Sequence, residues 1–367
     1  MDPTLNNRTL LGISREQFKQ LSPAAKAAYC NIGDRPFHTL VAQQFNRDML
    51  DKLGRLATRI RRIAKSKTGM QFLAGLLDHK RAMLYFSQPS SRTFLSFYAA
   101  CQILGIKPGE VRDPATSSEV KGESIEDTIR TFSSYFDMII MRTPASGFAE
   151  DMAWMLSNTD RPIPILNAGS GKDQHPTQAL LDIYTLQRSF EKIGGIDGKT
   201  VVFVGDLKRG RTVRSLACLL LTYANVRQIF VAPEHLQIEN DIVAQLQAAG
   251  SNYELRRDFA ATIAEADAIY MTRIQDEWDQ DSDRELASSY NSSDYHFTEA
   301  HLNQLKQQAV ILHPLPRRQE VAAAVDNDPR AVYWRQVRNG MWIRAALIAT
   351  TFGRDQEICS YYQLNYG

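Results

Sequence analysis

No apolar run in this chain of 367 residues approaches the roughly 18 that a membrane-spanning helix needs. Met1 to Gln20 is polar and mixed in charge, without the apolar core of a signal peptide. Charge of one sign is also scarce: 43 Lys and Arg stand against 41 Asp and Glu, a net +2. Composition therefore gives no support to a nucleic-acid or membrane-surface partner. Cys30, Cys101, Cys218 and Cys359 are scattered with no C-x-x-C pair. That argues against a zinc knuckle and a disulfide scaffold, and fits free thiols in a reducing cytoplasm. Neither G-x-S-x-G nor H-E-x-x-H occurs, so no hydrolase elbow or zinc-protease helix is on offer. What remains is a globular composition, 44% hydrophobic and 23% charged, in a chain long enough for two domains.

The central stretch is Leu84 to Phe97. Ala82 to Phe86 reads as a buried strand, Pro89 breaks it, and Leu95, Phe97 and Ala100 mark a following helix. Ser90, Ser91, Arg92 and Thr93 sit at the junction. A helix start exposes free N–H groups and carries partial positive charge, so hydroxyls and a guanidinium there make an anion site. Ser90 acting only as a cap is an equally weighted reading of this stretch alone.

Along the chain, Asn46–Ser66 reads as a basic helix whose arginines form a solvated face, after a polar lead-in with a short helix near Arg15–Tyr29. Strands are expected at Glu110–Asp113, Met138–Met141 (ending in Arg142) and Ile163–Leu166, with helices at Ser124–Tyr135, Gly147–Leu156 and Pro176–Phe190. After a glycine-rich linker at Gly194–Gly198 the alternation resumes. Strands are expected at Thr200–Val204, Gln228–Ala232, Ala268–Thr272 and Val310–Leu312, and helices at Thr212–Tyr223, Ile242–Ala249 and Met341–Thr351. Residues 276–298 read as a long mobile loop. This pattern predicts an α/β protein of two doubly wound parallel-sheet domains with the active site between them. The expected division is an N-terminal extension 1–40, a domain 41–190 completed by a C-terminal helix 341–367, and a domain 191–340.

Arg92, Arg142, His175, Asp206, Arg273 and His313 fall at or just past strand ends, where open α/β sheets bind ligands. With Arg211, Lys121 and Lys208 the set is rich in cations and has no evident nucleophile–base pair. Such a set suits a phosphorylated or multiply carboxylated substrate, with rate enhancement from positioning and charge stabilisation. His175 and Gln178 lie three apart on one helix and can face a ligand together, although a histidine beside proline, as at 175 and 313, is more often structural. Gly205–Thr212 nearly spells a nucleotide phosphate loop, but Arg211 fills the lysine position and a guanidinium does not replace that compact ammonium.

From about residue 45 onward the chain resembles the aspartate carbamoyltransferase catalytic chains of the aspartate/ornithine carbamoyltransferase family. Ser90-Ser91-Arg92-Thr93 resembles its carbamoyl-phosphate signature S-T-R-T. Six further blocks follow in order: Ser117 with Lys121-Gly122-Glu123, Met141-Arg142, His175-Pro176-Thr177-Gln178, Gly205 to Thr212, Thr272-Arg273-Ile274-Gln275 and His313-Pro314-Leu315-Pro316-Arg317. The resemblance implies carbamoyl transfer from carbamoyl phosphate to L-aspartate, an early step of pyrimidine biosynthesis, with no metal or organic cofactor. It implies that Ser90, Ser91, Arg92 and Thr93 hold the phosphate, and that Thr93, Arg142 and His175 polarise the carbonyl. Gln178 and the backbone at Pro314 and Leu315 take the carbamoyl amine; Arg211 and Arg273, supported by Gln275, take the aspartate carboxylates. Ser117 and Lys121 come from the adjacent subunit of a homotrimer with shared sites. A regulatory or dihydroorotase partner chain is left open. Gln88 stands where an acid is usual and Phe94 where an arginine is usual, which removes charges that tie the domains together in relatives.

Overall fold

The computed structural model describes residues 12–113, 122–171, 174–273 and 291–367. The chain divides into a unit of Met1–Leu180 with Gly340–Gly367 and a unit of Leu181–Asn339. No helix among the described residues is long and apolar enough to cross a membrane.

In the first unit, two short helices, α1 (Arg15–Gln20) and α2 (Pro23–Cys30), precede a small antiparallel pair, β1 (Asn31–Ile32) and β2 (Arg35–Pro36). Ser14 caps α1 and Ser22 caps α2, which opens on Pro23. Arg15 pairs with Glu126, Lys26 with Glu150, and Lys19 with Asp151 at 3.0 Å, so this lead-in is fastened to helices further along the unit. Helix α3 (Arg47–Ile63), capped by Asn46, buries Met49, Leu50, Leu53, Leu56, Ala57, Ile60 and Ile63 at helical spacing. Helix α4 (Lys67–Gly75) follows.

The sheet of this unit then assembles from β3 (Arg81–Phe86), α5 (Ser91–Ile103), β4 (Lys107–Val111), α6 (Ile125–Tyr135), β5 (Met138–Arg142), α7 (Phe148–Ser157), β6 (Ile165–Asn167) and α8 (Pro176–Phe190). Its order is β4–β3–β5–β6, all parallel. Ala82 to Phe86 and all of β5 are buried, as both faces of a helix-covered parallel sheet must be. β4 begins three residues before the expected Glu110: its half-exposed KPGEV sequence at a sheet edge gives no apolar run to mark it.

The second unit contains β7 (Thr200–Val204), α9 (Arg211–Leu220), β8 (Arg227–Val231), α10 (Asn240–Ala248), β9 (Asn252–Arg256), β10 (Ala268–Met271) and β11 (Val310–Leu312). The sheet order is β11–β10–β7–β8–β9, again all parallel. Val202, Val204, Ile229, Val231, Ile269, Met271 and Ile311 pack with Phe259, Phe297 and Tyr333 in its core. The unit boundary falls within α8 and within α11 (Tyr333–Thr351), which is eight residues longer at its start than expected. α12 (Asp355–Tyr366) closes the chain in the first unit.

Three expectations are corrected. The arginines of α3 are not all a solvated face: Arg59 lies over the Tyr362 ring of α12 at 5.6 Å and Arg62 at 5.7 Å, a use invisible without α12. The expected helix Thr212–Tyr223 is α9, which starts one residue earlier and ends three residues earlier, with Leu221 as its C-cap. Of the expected loop 276–298, residues 276–290 lie outside the described residues, and the remainder is anchored: Ser292–Tyr295 forms a 3-10 turn and Tyr295 and Phe297 enter the core.

Candidate active site: two half-sites at sheet switch points

In each sheet the strand that comes first in the chain lies inside, and the connections diverge on either side of it. That divergence falls between β3 and β5 in the first unit and between β7 and β10 in the second. Ligands of open α/β sheets bind at the carboxyl ends of strands at such points.

In the first unit, β3 feeds the Ser87–Ser90 turn and α5, and β5 ends on Arg142. The Gln88 N–H donates to the Arg142 carbonyl at 3.2 Å, which joins the two strand exits. Ser90 occupies the N-cap position of α5, yet its hydroxyl makes no capping bond. The start of α5 thus goes without a capping bond from its own N-cap side chain, as suits an anion site. Ser91 and Arg92 are exposed beside it; Thr93 is buried.

From β6 the chain enters a tight loop. Asn167 Oδ1 accepts from the Gly169 and Ser170 N–H groups at 2.9 and 2.8 Å. Gly169, at φ +96°, allows two side chains to close on the loop: a Cβ there would lie 2.7 Å from His175 Cδ2 and 2.8 Å from Arg142 Nη1. Arg142 Nη1 donates to the Ala168 carbonyl at 3.1 Å, and Thr93 Oγ1 stands 3.5 Å from His175 Nε2. Thr93, Arg142 and His175 are thereby gathered, each at least nine-tenths buried. His175 Nδ1 accepts the Gln178 N–H at 3.3 Å, so the ring proton belongs on Nε2, toward Thr93. Gln178 follows, buried, on the first turn of α8.

In the second unit, Gly205 leaves β7 at φ +113°, and a Cβ there would sit 2.3 Å from the Thr272 carbonyl at the exit of β10. Thr272 N–H and Oγ1 both donate to the Val204 carbonyl, at 2.8 and 2.9 Å. This contact brings the two strand exits together, one leading to Arg211 at the start of α9 and the other to Arg273. Both arginines are half-buried, and burial pushes the Arg211 guanidinium down to about 10. An arriving carboxylate offsets that cost, and a guanidinium suits it bidentately.

The nucleotide-loop reading of Gly205–Thr212 is excluded by its amides. Leu207 and Lys208 N–H donate to the Leu236 carbonyl, Arg209 N–H to Asp206 Oδ1, and Arg211 N–H to the Arg209 carbonyl. A phosphate cradle needs those donors itself. Asp206, expected at the ligand, is instead fully buried as the loop's own acceptor.

His313 likewise builds a loop. Its Nε2 meets Glu320 Oε1 at 2.7 Å and its Nδ1 accepts the Leu315 N–H at 2.7 Å. Leu315 sits at φ +56°, a left-handed conformation that costs a branched residue about 1–2 kcal/mol. Pro314 and Leu315 are half-buried beside it. Burial pushes the Glu320 carboxyl up, but the bonds from His313 and the backbone outweigh it and hold the group below 4.5. Ser117, Lys121 and Gln275 lie outside the described residues. Sequence reasoning missed Gly169, Asn167 and Glu320, because nothing in one dimension says which side chains close on a glycine or a loop.

Two family models cover most of the chain. The carbamoyl-P binding domain of aspartate/ornithine carbamoyltransferase matches residues 38–188, and the Asp/Orn binding domain matches 197–351. The chain belongs to the aspartate/ornithine carbamoyltransferase family. Among relatives, the chloroplastic aspartate carbamoyltransferase of Arabidopsis thaliana is 41% identical over 312 residues, 83% of this chain and 75% of that protein. The aspartate carbamoyltransferase catalytic subunit of Vibrio cholerae is 42% identical over 275 residues, 75% of this chain and 85% of that one. The structure of Trypanosoma cruzi aspartate transcarbamoylase in complex with carbamoyl phosphate and aspartate matches with a TM-score of 0.77 at 36% identity. It covers 85% of this chain and 96% of that one.

Proposed function

We propose that this chain transfers the carbamoyl group of carbamoyl phosphate to the amine of L-aspartate, giving N-carbamoyl-L-aspartate and phosphate, early in pyrimidine biosynthesis. The observation that carries the reading is the gathering of Thr93, Arg142 and the Nε2 side of His175 around Gly169, next to a helix start without a side-chain cap.

Carbamoyl phosphate binds to the segment 41–190, completed by 341–367, and aspartate to 191–340. Ser90, Ser91, Arg92 and Thr93 hold the phosphate at the start of α5, where backbone N–H groups and the helix dipole favour its charge. Thr93, Arg142 and the His175 Nε2–H face the carbonyl oxygen and stabilise the negative charge that grows there as the carbon becomes tetrahedral. Gln178 and the carbonyls of Pro314 and Leu315 hold the carbamoyl amine. Arg211 and Arg273, the latter supported by Gln275, hold the two aspartate carboxylates. The neutral amine then attacks: a C–N bond forms, the C–O bond to phosphate breaks, phosphate leaves with the electron pair, and the nitrogen sheds a proton. These roles call for no metal or organic cofactor, and most of the acceleration comes from positioning and electrostatics.

Two arginines suit a dicarboxylate, and Pro314 stands where ornithine-specific relatives carry cysteine, so aspartate is the acceptor. The protein acts in the cytoplasm, which appearance in an organelle fraction would contradict. It acts as a homotrimer whose sites are completed by Ser117 and Lys121 of the neighbouring subunit.

The experiment is carbamoylaspartate formation with aspartate varied and ornithine as control, for wild type and Arg92→Ala. We expect saturable, aspartate-dependent product. Arg92→Ala should lose at least about a hundredfold in turnover, as loss of a charge-assisted phosphate contact implies. Thermal stability should change little, because Arg92 is exposed. Unchanged turnover in Arg92→Ala overturns the phosphate assignment, and ornithine-dependent product overturns the choice of acceptor.

A further inference from the structure

We propose that His313 and Glu320 are a positioning pair for the carbonyls of Pro314 and Leu315, and so set the enzyme's preference for a donor whose acyl carbon bears an amine. This rests on the function proposed above, in which those carbonyls receive the carbamoyl N–H groups.

A peptide unit is planar, so an N–H and the carbonyl before it point in opposite directions across a trans bond. The Leu315 N–H donates to His313 Nδ1 at 2.7 Å. That bond therefore turns the Pro314 carbonyl away from the imidazole. A backbone N–H can only donate, so Nδ1 is unprotonated and the ring proton sits on Nε2. There it meets Glu320 Oε1 at 2.7 Å, and the pair fixes both tautomer and ring orientation. Glu320 is held in turn by the Arg318 N–H, at 3.1 and 3.0 Å from its two oxygens, and its carbonyl accepts the Phe297 N–H at 2.8 Å.

On its other side, the His313 N–H donates to Gln336 Oε1 at 2.9 Å. Gln336 Nε2 donates to Asp182 Oδ1 at 2.6 Å, and Tyr270 OH donates to Asp182 Oδ2 at 2.8 Å. His313, Glu320, Gln336, Asp182 and Tyr270 are all buried. Breaking any link strands a polar group away from water, so the network has one favourable arrangement. It reaches from β10, α8 and α11 to the exit of β11, which is how a leucine at positive φ stays in place.

The test compares two donors with one acceptor. Acetyl phosphate differs from carbamoyl phosphate in carrying a methyl group where the amine stands, so it cannot use the two carbonyls. The readout is the ratio of kcat/KM for the two donors, measured on one preparation so that the amount of folded enzyme cancels. His313→Gln keeps a donor near Glu320 but loses the acceptor for Leu315, and Glu320→Ala frees the ring from the other side. Both should lower the ratio at least about tenfold, a part of the roughly 10⁴–10⁵ by which a site built for a substrate N–H rejects an analogue lacking it. His313→Asn, whose Oδ1 can take the Leu315 N–H, should recover part of it. An unchanged ratio in both variants, or equal losses with both donors, overturns the proposal. A wild type that forms no carbamoylaspartate at all overturns the functional reading instead.

Discussion

Gly169 is the narrowest residue in the first half-site. A methyl group there collides with His175 and Arg142 together, and φ +96° is foreign to L side chains. Gly169→Ala should cost about 1–3 kcal/mol of stability. It should also separate His175 from Arg142, the pair proposed to face the carbonyl, and lower kcat/KM more than about tenfold. Thermal unfolding and steady-state kinetics on the same variant check both parts. Glu320 carries a pH signature. Its folded carboxyl lies below 4.5, so its contribution to stability is present above that value and is lost as pH falls through the lower folded value. The urea midpoint of Glu320→Gln should therefore lie below that of wild type at neutral pH, and the gap should close in acid. A constant gap would mean that the His313 bond does not depend on the charge. Phe94 is held by packing: its ring meets Phe86 edge-on at 5.4 Å, and Arg112 lies 4.6 Å over it. The Arg112 cation thus lies on the ring's face, where the aromatic quadrupole attracts it.

The legibility of each element followed its period. β3, β5, β7 and β11 are apolar runs, and α8 opens on proline, so their places could be read from the chain. β9 could not: Asn252–Arg256 mixes half-buried with exposed residues at a sheet edge, none of them buried, and is held by Arg227, Arg256, Glu254 and Glu265 rather than by an apolar face. The expected C-terminal helix 341–367 is broken at 352–354, and α12 stands as a helix of its own. Its sequence shows little amphipathic contrast, and only Ile358 among its residues is buried. Its grip on α3 and α4 comes from aromatic rings instead. Phe72 and Tyr361 stack with centroids 3.8 Å apart and planes 10° from parallel. A double-mutant cycle of Phe72→Ala and Tyr361→Ala should give a coupling of about 0.5–1.5 kcal/mol by denaturant unfolding. A coupling near zero would show that the rings contribute only by burying area.

At the scale of the whole molecule, strand–helix alternation announced two parallel sheets, but their order could not be read because it is set by pairings between distant segments. The orders β4–β3–β5–β6 and β11–β10–β7–β8–β9 are what bring two scattered sets of arginines to neighbouring strand exits. Trimer assembly has a dilution test: if neighbours supply Ser117 and Lys121, specific activity should fall on dilution in step with dissociation seen by sedimentation. Full activity in a monomer would remove the shared site. The helix start at Ser90 has a consequence of another kind. The Ser90 hydroxyl makes no capping bond to the amides of the first turn of α5, which leaves the N-cap acceptor's place to an anion. Their deuterium uptake is thus a clock for occupancy: faster in the empty protein, slowed by phosphate alone, and legible without any turnover.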